Sequence, residues 1–180
     1  MSDSSIPDLF DKITDESSLL GTIASKIPGF SGYIERSRRR EADQMLRESI
    51  AGRLEEVRLQ LAGVQEELSH DIILAIDYAE PIGRADNRLM GLIGKVKDAP
   101  QGYAGFFDAV KVKEEDLARI YAFDESMIRY GDQISSDVAA LNKAVMDSGD
   151  IRGAIRTLDS NLQQAVTTFN TRQEVVSGIS

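Results

Sequence analysis

From Ile50 the apolar residues keep a steady cadence. Ile50, Leu54, Val57, Leu61, Val64 and Leu68 are separated by 4, 3, 4, 3 and 4 residues. That is about three heptads of the spacing that gathers apolar side chains on one side of an α-helix. Upstream, Ile6, Leu9, Phe10, Ile13, Leu19, Leu20, Ile23 and Ile27 also recur at helical spacing, with Pro7 suited to a first turn and Pro28-Gly29 to a stop. These stretches predict an N-terminal helix or helix pair over 6–27 and a long helix over 33–79. At 1.5 Å per residue the long helix extends on the order of 70 Å. Ser69-His70-Asp71 is a place where it can break, and Pro81 is expected to end it.

Further helices are predicted over 82–97, 113–147 and 150–176. The first carries Leu89, Leu92, Ile93 and Val96 on one side. The second opens with Glu114, Glu115 and Asp116 in its positive first turn and continues through Leu117, Ile120, Tyr121, Met127, Ile128, Ile134, Val138, Leu141 and Val145. The third follows Ser148-Gly149, takes Asp150 as its N-cap, and repeats Ile151, Ile155, Leu158, Leu162, Val166 and Phe169. Only Asp108 to Val112 hints at a strand. The pattern predicts an all-α fold: an elongated antiparallel bundle of about five helices with coiled-coil-like seams, in a single domain over 1–180.

Composition narrows the function classes. With 21 Lys and Arg against 30 Asp and Glu the net charge is −9, so nucleic acid is disfavoured as a partner. There is no cysteine, hence no thiol nucleophile, disulfide or zinc-thiolate site. No apolar run approaches the roughly 18 residues of a membrane span. The acidic start "MSDSSIPDLFDK" lacks the features of a secretion signal, and a cytoplasmic location is the default expectation.

Two connectors echo each other. Residues 29 to 33 read "GFSGY" and residues 102 to 106 read "GYAGF", each with a proline just upstream, and Phe107 follows the second. Phe30, Tyr33, Tyr103, Phe106 and Phe107 either plug the bundle ends or form a docking surface. Behind the first loop lies "ERSRRREAD". On a helix Glu35–Arg39, Arg39–Asp43 and Asp43–Arg47 are i,i+4 pairs, so much of the tract is locally neutralised. Arg36 and Arg40 stand one turn apart with no acidic residue at i±4. They are the candidate anion or partner contacts.

Together with "APQGYAGFFDAVKVKEEDLARIYAFDESM", the stretch "PGFSGYIERSRRREADQMLR" resembles an uncharacterised prokaryotic helical family, over roughly Pro28 to Met146. The resemblance implies a helical fold and no activity, cofactor or catalytic residue.

Catalytic constellations are incomplete. Glu67-x-x-His70 has the spacing used in di-iron bundles, but His70 is the only histidine, so these two are weak metal candidates. Ser69, His70 and Asp71 are chain neighbours that do not face one another on a helix. No phosphate-binding glycine motif occurs. Asp124 and Glu125 lie among aromatics in "IYAFDESM". Such carboxylates are sometimes buried with a raised pKa but more often exposed, and exposure is the expectation. The sequence therefore points to a non-enzymatic helical scaffold or protein-interaction module, with no cofactor and with itself or another protein as partner. The alternatives are a peripheral adaptor on an anionic membrane, using the arginine tract and the glycine-aromatic loops, and after it a di-iron-type metalloprotein.

Overall fold

Heptad spacing, capping residues and two tight turns account for most of the architecture. The computed structural model describes residues 16–33, 35–99 and 113–178. Among these it has five α-helices and no strand: α1 (Glu16–Lys26), α2 (Arg39–Ser69), α3 (Ile72–Lys97), α4 (Glu114–Met146) and α5 (Ile151–Gly178). A 3-10 turn, Arg36–Arg38, leads into α2. The chain is an all-α helical bundle. The beginning of the predicted 6–27 helix, the strand hint at Asp108–Val112 and the second glycine-aromatic loop with Tyr103, Phe106 and Phe107 lie outside the described residues.

The break in the long helix falls at its first permitted place. His70 and Asp71 form the turn, and the Asp71 carboxylate accepts from the N–H groups of Ile73 (2.8 Å) and Leu74 (3.2 Å). This cap satisfies donors that a new helix leaves open. Residues 72–79 therefore belong to α3 and not to the helix before it. The expectation that Pro81 ends a helix is corrected, since Pro81 lies inside α3. A proline costs one backbone hydrogen bond and introduces a steric clash. Here the core residues that follow it, Ile82, Ala85, Leu89, Leu92 and Val96, hold the helix in place.

The described residues pack into two compact units. The second comprises Glu48–Ala99 and Arg129–Thr167, and the first takes the remainder. The second unit is a four-helix arrangement whose neighbours are identified by polar contacts. Arg58 donates from Nε and Nη2 to the two carboxylate oxygens of Asp86 (2.8 and 3.2 Å), joining α2 to α3. Arg88 pairs with Asp159 at 3.1 Å between α3 and α5. Asn161 donates to Asp137 at 2.7 Å between α5 and α4, and Arg53 pairs with Asp132 between α2 and α4. Inside, all six seam residues from Ile50 to Leu68 are buried.

The first unit is built from α1, the "GFSGY" loop and the ends of α2, α4 and α5 that face it. Gly29 and Gly32 have φ of +85° and +80°. A Cβ on Gly32 would lie 2.5 Å from the Tyr121 hydroxyl, so only glycine lets the loop pass this ring.

Leu61 is fully buried in the α2 seam. Leu61→Asp places an unpaired charge there and is expected to cost several kcal/mol. Thermal unfolding checks this: a variant melting within a few degrees of the parent would show that the seam is not a core.

Candidate functional site

The first unit encloses a cluster of ionisable side chains. On α5, the Arg172 Nε donates to Asp124 Oδ1 on α4 at 2.6 Å, and its Nη2 donates to Asp43 Oδ1 on α2 at 2.8 Å. The Tyr33 hydroxyl donates to the other Asp124 oxygen at 2.7 Å. Arg47 binds the second Asp43 oxygen at 2.8 Å. The Tyr33 backbone is held as well: its N–H donates to the Tyr121 hydroxyl at 2.8 Å, and its carbonyl accepts from Arg39 Nε at 2.6 Å. Arg172 is 1% exposed and Asp124 and Tyr33 are 0% exposed.

Electrostatics follow from this enclosure. Burial raises the Asp124 carboxyl above its ordinary value, although Arg172 and the Tyr33 hydroxyl pull the other way. Burial also raises the Tyr33 phenol well above its ordinary value, and the negative charge of Asp124 adds to it. For Arg172 burial alone would favour losing the proton. Asp124, Tyr33 and Asp43 outweigh it, and the guanidinium stays charged. Asp124 sits in the core, contrary to the exposure expected of a carboxylate in this stretch. The groups resemble catalytic machinery in composition, but they are enclosed in the core and bonded to one another.

The sequence-predicted site residues divide accordingly. Phe30 and Tyr33 are buried, with ring centroids 5.7 Å apart in an edge-on arrangement. They pack the first unit and present no ring to a partner, which corrects the docking role considered for them. Arg36 and Arg40 are exposed, at the 3-10 turn and the first turn of α2. Arg39, read from the sequence as an i,i+4 partner of Glu35 and Asp43, is a buried side chain whose Nε donates to the Tyr33 carbonyl. Glu67 and His70 are exposed at the α2–α3 turn. Among the described residues no group of three or more His, Asp or Glu side chains is arranged to hold a metal ion.

Periodicity could have located the buried charges. Ile151, Ile155, Leu158, Leu162, Ala165, Phe169, Arg172 and Val176 are buried and follow steps of 4, 3, 4, 3, 4, 3 and 4. Arg172 therefore occupies a core position of α5. Asp43 likewise lies between Arg39 and Leu46 on the upstream extension of the α2 seam.

The second unit holds the surface features. Its α3 exposes Ile72 (76%), Ile76 (75%) and Ile73 (67%) to solvent. Between α3 and α5 lies an open cleft of about 510 Å³, lined by Tyr78, Pro81, Arg84, Arg152 and Arg156 among others. Among the described residues no helix is long and apolar enough to cross a membrane. No family model matches the chain, and neither a curated protein nor a solved structure is significantly similar to it.

Arg172→Met leaves Asp43 and Asp124 buried without this cation and is expected to cost about 3–5 kcal/mol. Adding Asp124→Leu should restore at least about 1 kcal/mol, because an uncompensated charge is removed. Urea unfolding of both variants tests this, and a double variant less stable than the single one would refute the network.

The Tyr33 phenol, raised in the folded state, ionises near pH 10 when the chain unfolds. Its contribution is present below that pH and is lost as pH rises beyond it. Tyr33→Phe should cost about 1–3 kcal/mol at neutral pH through the lost donor to Asp124. It should also flatten the decline of stability above about pH 10. Equal slopes in urea midpoints for parent and variant would show that Tyr33 does not govern this limb.

Proposed function

We propose that this chain is a non-enzymatic helical interaction module whose contact surface is the solvent-facing side of α3. One observation carries the reading: Ile72, Ile73 and Ile76 lie within five residues and are each at least two-thirds exposed. They add little to the core, yet fully burying such a side chain is worth about 1.5–3 kcal/mol. Clustered exposed apolar side chains mark contact sites more often than isolated ones do. The charged cluster around Arg172 adds no catalytic candidate, because it is sealed and its groups are engaged with one another. The anionic-membrane alternative relied on aromatics beside Arg36 and Arg40. The burial of Phe30 and Tyr33 weakens that alternative.

A photoreactive residue at position 76 should yield discrete higher-mass adducts, both with purified protein and in extract of cells expressing it. The same residue at Ser136, on the exposed side of α4, should yield none. Equal adduct formation at both positions would overturn the reading. Ile76→Ser should leave stability within about 0.5 kcal/mol of the parent, as is usual for surface positions, so loss of adducts in that background reports binding and not unfolding.

A further inference from the structure

The cleft between α3 and α5 is walled by one face of each helix. On α5 Arg152, Arg156, Ser160 and Gln163 follow steps of 4, 4 and 3, and on α3 Tyr78, Pro81 and Arg84 follow steps of 3 and 3. Both walls belong to the second unit. Its volume of about 510 Å³ is of the size that holds a small molecule.

The cations of the α5 wall are placed against local electrostatics. Among the described residues neither Arg152 nor Arg156 makes an ion pair or a side-chain hydrogen bond, although the chain has 30 acidic residues to 21 basic ones. They stand one turn apart, where like charges repel. Arg152 also lies in the first turn of α5, where the helix dipole is positive and favours acidic residues, of which this turn has none. Other charges at the cleft are engaged. Arg88 holds Asp159 at 3.1 Å, and Arg84 pairs with Glu80 on the exposed side of α3. Such an exposed pair is weak, so Arg84 can turn to an anion at little cost.

Acceptors and a flat surface complete the lining. The Asp77 carboxylate has no partner among the described residues. Its backbone carbonyl also lacks the usual i,i+4 donor, because Pro81 has no N–H. The half-buried rings of Tyr78 and Pro81 lie beside it. Two free guanidiniums against one free carboxylate leave a positive excess, which suits a dianion better than a neutral molecule.

We propose that this cleft binds a small phosphate monoester whose body is flat and carries O–H or N–H donors, as a nucleoside monophosphate does. The phosphate sits on Arg152 and Arg156, whose paired N–H groups match its oxygens, with the helix dipole behind them. The body lies along Tyr78 and Pro81, and Asp77 receives its donors. Free phosphate offers the same dianion but leaves the α3 wall unused. The site goes beyond the interaction reading above and does not depend on it.

Calorimetric titration of the full-length protein with AMP, inorganic phosphate, adenosine and succinate tests this, with ionic strength held constant by chloride. AMP is expected to bind several-fold more tightly than phosphate, and adenosine not measurably. Arg152→Gln combined with Arg156→Gln should weaken AMP at least about tenfold. Arg119→Gln, at an exposed arginine of α4 outside the cleft, should leave it unchanged. Tyr78→Ala should bring AMP down to the affinity of phosphate without altering phosphate binding, with circular dichroism verifying the fold. Without ligand the double arginine variant should melt no lower than the parent, because a repulsion is removed. A marked drop would make these arginines structural and overturn the proposal. Succinate binding as tightly as AMP would overturn the phosphate assignment, and phosphate binding as tightly as AMP would overturn the role of the α3 wall. If neither AMP nor phosphate binds at millimolar concentration, there is no such site.

Discussion

Arg172 imposes the strictest demand on this fold. A guanidinium with 1% of its surface exposed is tolerable only if its charge is balanced, because an isolated ion in the interior costs several kcal/mol or more. Its balancing carboxylates, Asp43 and Asp124, come from two other helices, and the Tyr33 hydroxyl comes from the loop. Three helices and a loop must therefore arrive at one layer in one register. Arg39 and Tyr121, which hold the Tyr33 backbone, and Gly32, which clears the Tyr121 hydroxyl, all serve the placement of that single phenol. A purely apolar layer could slide by a turn with modest loss, whereas this one cannot without stranding a charge.

The second unit is held differently. Its interior is aliphatic, and its polar contacts form a ring around that interior: Arg58 with Asp86, Arg88 with Asp159, Arg53 with Asp132. These partly exposed pairs contribute little individually, so the energy resides in the seams. Asp137 is the exception: it is buried and accepts from Gln133 and Asn161.

What a periodicity can show is which positions face inward. The α2 seam from Ile50 to Leu68, the Asp150 start of α5 and the turn near His70 were all visible, because each is a local rule of spacing or capping. Asp150 does accept the Gly153 N–H at 2.8 Å. Pro81 does not end the helix because its local penalty is smaller than the packing energy of the residues that follow it, from Ile82 to Val96. Tertiary burial outweighs local preference whenever several core contacts stand against one lost hydrogen bond.

The all-helical class and most of the inward faces follow from a repeat of about 3.5 residues along one chain, although the α5 seam read through Val166 runs through the buried Ala165 instead. The sequence also contained the core positions of Arg172 and Asp43, which continue the α5 and α2 seams. Packing between helices decided that Arg172, Asp43, Asp124 and Tyr33 meet, for they stand up to 139 residues apart in the chain, and burial depends on what lies across the interface. It also decided that Phe30 and Tyr33 turn inward while three isoleucines of α3 remain in solvent. Hydrophobicity states a preference for burial. Whether another surface is present to satisfy it is a property of three-dimensional packing.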